Sequence, residues 1–129
     1  MAEHMLLVKD SVFNAYRDGH RTQHTAVDYG IYPRLIEEGD IFEVRTIRSE
    51  PILFKVVEIY RKRLHEITPE EIERAGHPGM QIKTYNPFVY ADTKDWYRRV
   101  WDYLHPFKNE KWEKNPMIVI YVLEKESEC

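Results

Sequence analysis

The chain has 129 residues, 43% of them hydrophobic and 32% charged, with a formal net charge of −3. That length fits one domain able to bury roughly two-thirds of its unfolded surface, and that balance belongs to a globular chain rather than a disordered one. The acidic total argues against a general duplex-DNA binder, which lives on counterion release and carries a basic excess.

No apolar run approaches the length of a bilayer span; Met117 to Leu123 is among the longest. The sequence opens without a charged-then-apolar leader, so a cytoplasmic protein with no membrane partner is expected. The single cysteine, Cys129, excludes an internal disulfide framework and a thiolate zinc cluster. No repeat, linker or glycine-rich phosphate loop interrupts the chain, so one domain over 6–124 is expected, with 1–5 and 125–129 as flexible ends.

Met5 to Lys9 reads as a short buried strand. Asp10 or Ser11 can cap a following helix, whose apolar face holds Val12, Phe13 and Tyr16. Gly19 suits the left-handed position just past its end, and His20 to Ala26 should then run extended. The Gly39–Asp40 turn leads into an alternating strand over 41–47, and Leu53 to Tyr60 looks like a more central strand. Tyr60 to Leu64 (YRKRL) is a basic cluster at its end.

Thr68-Pro69-Glu70-Glu71 has the form of a capping box with proline at the first helical position, and the helix should stop at Gly76. His77 to Tyr90, rich in Pro and Gly, reads as an irregular loop. Thr93 can cap a helix from Lys94 to Leu104, ended by Pro106. Met117 to Leu123 makes a final buried strand. Short, non-local strands with irregularly interspersed helices predict an α+β fold: a small mixed barrel or curled sheet with helices at its openings.

GHRTQHTA, residues 19 to 26, is the most chemically suggestive segment. On an extended chain His20, Thr22 and His24 share one side and Arg21, Gln23 and Thr25 the other. The first set could hydrogen-bond a polar ligand. No third His, Asp or Glu stands at a telling distance, so neither a metal nor any other cofactor is expected. The bland alternative is a solvated strand edge.

A helix ending in glycine, then a basic residue and threonine, then a strand, resembles the signature of the ASCH domain, of the PUA-like superfamily. That signature reads roughly Gly-x-Lys-x-x-Glu-x-Arg, with a branch Gly-x-Lys-Thr-x-Thr-x-Arg. Gly19 and Thr22 fit the branch; Arg21 stands for lysine, His24 for glutamate or threonine, and Ala26 for arginine. The Gly39–Asp40 turn and the terminal strand MIVIYVLE are also similar. The resemblance implies a small PUA-like β-barrel with flanking helices. One branch hydrolyses N4-acetylcytidine with the motif lysine, the second threonine and a downstream glutamate. Arg21 keeps the charge but cannot act as a base. Glu70, Glu71 and Glu73 lie near the expected glutamate, and a capping or solvated role suits each better.

Lys94 to Phe107 concentrates rings and cations. Trp96, Val100 and Tyr103 lie along one side of a helix, and Tyr97, Trp101 and Leu104 along the next. A buried helix face with exposed Asp95–Arg99 and Arg98–Asp102 pairs explains most of this. The functional alternative gives Trp96 a place in a cleft where a nucleobase stacks, with Lys94, Arg98 or Arg21 meeting phosphate or carbonyl oxygens and Tyr29 and Tyr32 adding a wall.

Three functions are therefore expected to compete. The first is a module binding a nucleotide or single-stranded RNA through His20, Arg21, Thr22, His24, Tyr29, Lys94, Trp96 and Arg98. The second is an amidohydrolase acting on an acylated nucleoside, with His24 as base, Thr22 or water as nucleophile and Arg21 stabilising charge. The third is a protein-interaction domain with an inert motif. Convergence of His24, Arg21 and a carboxylate would favour the enzyme.

Overall fold

The structure, a computed structural model, describes residues 4–28, 36–75 and 93–126, with backbone alone for Thr93. In chain order the elements are β1 (His4–Leu7), α1 (Asp10–Arg17), β2 (Gln23–Val27), β3 (Ile41–Arg45), β4 (Ile52–Arg63), α2 (Pro69–Ala75), α3 (Thr93–Leu104) and β5 (Met117–Lys125). Short 3₁₀ turns occupy Leu64–Glu66, Lys108–Glu110 and Trp112–Lys114. The strands form one curled, barrel-like sheet in the order β1-β3-β4-β5-β2. The β1–β3 pair is parallel and every other pair antiparallel. This is the expected α+β class, and pairing extends past the 6–124 span at both ends.

β4 holds the centre of the sheet because it is long and alternates apolar with polar residues. A bulge between Val56 and Glu58 resets that alternation, so Ile59 still pairs with Tyr121. The Gly39–Asp40 turn braces the bulge: Gly39 N–H donates to the Val56 carbonyl at 2.7 Å and Val56 N–H to the Asp40 carbonyl at 2.9 Å. Gly39 sits at φ +96°, where a side chain would be strained.

Both faces of the β4–β5–β2 half are covered, which is why β5 reads as a continuous apolar run. On one face Ile118 and Ile120 meet Ile72 of α2 and Tyr97 and Trp101 of α3, together with Leu64 and Ile67. On the concave face Leu123, Phe42, Val44, Phe54 and Val56 enclose Tyr16 of α1, with His24's neighbour Tyr121 packed alongside. Each such large side chain contributes about 1.5–3 kcal/mol when fully buried.

Several details differ from expectation. α1 begins at Asp10, and Lys9 precedes it without a side-chain cap, so neither Asp10 nor Ser11 caps. β4 runs on to Arg63 rather than stopping at Tyr60, because it keeps pairing with β5 as far as Met117, and the basic cluster forms its end. Along α3, Tyr97 and Trp101 are buried while Tyr103 is 86% exposed and Leu104 also faces water. Asp95 pairs with Arg98, one turn on, at 2.9 Å. Among the described residues Asp102 takes no arginine; its carboxylate accepts Trp112 N–H at 2.7 Å and its carbonyl accepts Lys111 Nζ at 2.8 Å, fastening the following turn to the helix. The Thr68 box forms as read: Thr68 N–H reaches Glu71 Oε1 at 2.8 Å and Glu71 N–H reaches Thr68 Oγ1 at 3.2 Å. The Gly76 stop, the 77–90 loop, Tyr29, Tyr32 and the Thr93 side chain lie outside the described residues.

Candidate functional site at the barrel mouth

The end of α1 decides where the 19–26 segment goes. His20 N–H donates to the Ala15 carbonyl at 2.9 Å and Gly19 N–H to the Tyr16 carbonyl at 3.2 Å, the paired bonds of a Schellman cap. Gly19, at φ +81°, supplies the left-handed step this needs. Arg21 N–H shares the Ala15 carbonyl at 3.0 Å. The turn is thus held tightly against α1, and the Arg21 side chain folds back over Tyr16, its guanidinium carbon 5.1 Å from the ring centroid.

Thr22 is then clamped by backbone bonds on two sides. Its N–H donates to the Arg74 carbonyl of α2 and its carbonyl accepts Leu123 N–H of β5, each at 2.9 Å. Strand alternation begins only at Gln23, which sends Gln23 and Thr25 to the helix-covered face and His24 to the concave one. His20, expected to share a side with Thr22 and His24, is instead exposed in the turn.

His24 stacks on Tyr121 with ring centroids 5.8 Å apart and lies 6.1 Å from Phe42. Burial first, and the Arg21 charge second, push its pKa down to about 4, so the ring is neutral near pH 7. Arg21 also pulls the Tyr97 hydroxyl downward against a larger upward push from burial. Three enclosed polar atoms here, Tyr16 Oη, Arg21 Nε and His24 Nδ1, have no hydrogen-bond partner among the described residues.

The nearby carboxylate is committed elsewhere. Glu71 Oε1 accepts Lys62 Nζ at 2.8 Å and its other oxygen accepts the Tyr60 hydroxyl. Burial alone would raise this carboxyl, yet the bonds from Lys62, Tyr60 and the Thr68 N–H hold it below the usual range. Tyr60, pushed up to about 12 by burial and by Glu71, also accepts Arg74 Nη2 at 3.0 Å. Arg74 Nε donates to Gln23 Oε1 at 3.2 Å, and Gln23 Nε2 to Thr25 Oγ1 at 2.9 Å. This chain ties α2 to β4 and β2 behind the motif. Among the described residues no carboxylate offsets the His24 shift, whose causes are burial and the Arg21 charge. Among the described residues no three His, Cys, Asp or Glu side chains cluster as a metal site would require.

The remaining candidates stand along α3. Lys94 Nζ donates to the His65 carbonyl, Arg98 pairs with Asp95, and Trp96 is half-buried against the cluster that holds Tyr97 and Trp101. The structure thus joins Arg21 and His24, with Thr22 between them, and leaves His20 exposed and Lys94 and Arg98 directed to other contacts. Sequence reasoning placed Tyr16 and Tyr97 in apolar helix faces. The one available signal was their hydroxyls, since a buried tyrosine needs a partner for its O–H.

No protein-family model matches the chain, and no curated protein matches it. Solved structures share its fold. The ASCH domain from Lactobacillus crispatus JV V101 is 8% identical, with a TM-score of 0.59 over 95% of this chain and 78% of that one. Protein EF3133 from Enterococcus faecalis V583, of the DUF984 family, is 11% identical, with a TM-score of 0.63 over 97% and 80%. The hypothetical protein PH0355 is 15% identical, with a TM-score of 0.62 over 95% and 98%. At these identities the likeness is one of fold, and the fold is ASCH-like.

Proposed function

Taking the ASCH-like fold as premise, we propose that the chain is a binding module whose barrel mouth, beside Gly19–Ala26, accepts a nucleotide or a segment of single-stranded RNA. One observation carries this reading: Tyr16 Oη, Arg21 Nε and His24 Nδ1 are each enclosed without a partner among the described residues, with Arg21 over the Tyr16 ring and its charge acting on His24. Buried polar groups are hydrogen-bonded in the great majority of proteins, so unpartnered polar atoms around Arg21 support a polar ligand there. A flat, acceptor-rich molecule fits such a set, because Arg21 offers only donors while Tyr16 and His24 can donate or accept.

The amidohydrolase alternative receives no comparable support. It needs a carboxylate beside Arg21 and His24, and Glu71 is bound to Lys62, Tyr60 and Thr68. His24 is an uncharged ring but, with a pKa near 4, a weak base. The test is an NMR titration of the protein with cytidine, N4-acetylcytidine, nucleoside monophosphates and short single-stranded RNAs, with product analysis of each sample. Saturable shifts at Arg21, Thr22 and His24 without turnover are expected. Deacetylation abolished by His24→Ala would replace the binding module with an enzyme, and silence from every ligand would remove both.

A further inference from the structure

Arg21 dictates more about the occupant than hydrogen bonding alone. Its guanidinium is a permanent cation, and its Nε is enclosed. Arg21 is partly buried, and an enclosed donor of a cation is best satisfied by an anionic acceptor. Among the described residues no carboxylate pairs with Arg21; its contact is the ring face of Tyr16, 5.1 Å away. That ring face gains the cation roughly 0.5–2 kcal/mol but gives the enclosed Nε–H no acceptor. Two further atoms able to donate, Tyr16 Oη and His24 Nδ1 in its Nδ1–H tautomer, are also enclosed without a partner among the described residues.

We infer that the barrel mouth holds an oxyanion, the phosphate of a nucleotide or of an RNA strand, against Arg21, Tyr16 and His24. This rests on the nucleotide-binding reading and specifies which part of the ligand enters. A phosphate presents several acceptor oxygens to three donors and cancels the charge that the protein leaves uncancelled. A neutral base would satisfy the hydrogen bonds and leave the cation unpaired. A metal cation or an ammonium group would be repelled.

The experiment titrates the full chain with cytidine, cytidine 5′-monophosphate, inorganic phosphate and a short RNA, followed by NMR and calorimetry at low salt. Cytidine monophosphate should bind at least about tenfold tighter than cytidine, the range of one charge-assisted hydrogen bond. Arg21→Gln should erase that preference, and Arg21→Lys should keep part of it. An RNA that binds and loses affinity in Arg21→Gln, beside mononucleotides that do not bind, assigns the phosphate to a strand and also supports the inference. Equal affinity for nucleoside and monophosphate, unchanged in Arg21→Gln, overturns the inference and leaves the binding module standing. Inorganic phosphate shifting Arg21 while no nucleoside, nucleotide or RNA binds overturns the nucleotide reading and keeps the oxyanion site. No response from any probe overturns both. Should Arg21→Gln fail to fold, Tyr16→Phe removes one donor without touching the charge, and a preference for the monophosphate unchanged in that variant overturns Tyr16's part.

Discussion

Acidification should destabilise this protein through His24 before its carboxylates protonate. In the folded chain burial and Arg21 push the imidazole pKa down from 6.5 to about 4. The unfolded chain therefore binds a proton that the folded chain refuses, and stability falls as the pH drops from 6.5 toward 4. The gap corresponds to roughly 3.4 kcal/mol when fully expressed, of which about 2 kcal/mol is lost by about pH 5. His105, lowered mainly by burial, adds loss in the same direction. His24→Phe isolates the first contribution, because phenylalanine keeps the packing against Tyr121 and Phe42 and cannot titrate. The assay is urea unfolding of both proteins at about pH 7 and pH 5. The native protein should lose about 2 kcal/mol more than the variant over that interval. Equal losses in the two proteins would refute the enclosed, neutral imidazole, as would an NMR titration midpoint for His24 near 6.5.

Other substitutions probe the parts that position the motif. Gly19→Ala meets nothing within 4 Å, so its cost is the left-handed backbone alone, about 1–2 kcal/mol by urea unfolding. Thr68→Ala removes one half of the capping box and should cost about 1 kcal/mol in the same assay. Tyr60→Phe leaves Arg74 and Glu71 each short of a partner, at about 1–3 kcal/mol. With that bond gone the Glu71 carboxyl should titrate at higher pH, which carboxyl-carbon NMR can follow.

Local signals in the sequence reached far into the fold. Gly19, the Gly39–Asp40 turn and the Thr68–Glu71 box are each read from residues adjacent in the chain, and each forms as read. What failed depends on distant neighbours. Asp102 looks like half of a helical ion pair, yet it is taken by the Trp112 backbone, which no local pattern encodes. Gln23 looks like an outward polar residue of an edge strand, yet it is fully buried because Arg74 arrives from α2 to meet it. In the site, the motif charge and His24 were legible as a cluster on one segment. The ring over which Arg21 folds, Tyr16, comes from α1, whose approach to β2 is tertiary.

The register of β2 carries a kinetic consequence. Gln23 pairs with Val122 and Val27 with Ile118, so the motif strand is anchored to residues roughly a hundred positions later in the chain. Closing so long a loop is among the slower events of folding, since its entropy is spent before the contact rewards it. On a ribosome, β3 and β4 can zip together while β2 waits for a partner not yet synthesised. The mouth is then assembled last, so a chain stalled short of β5 has the motif's residues but no site.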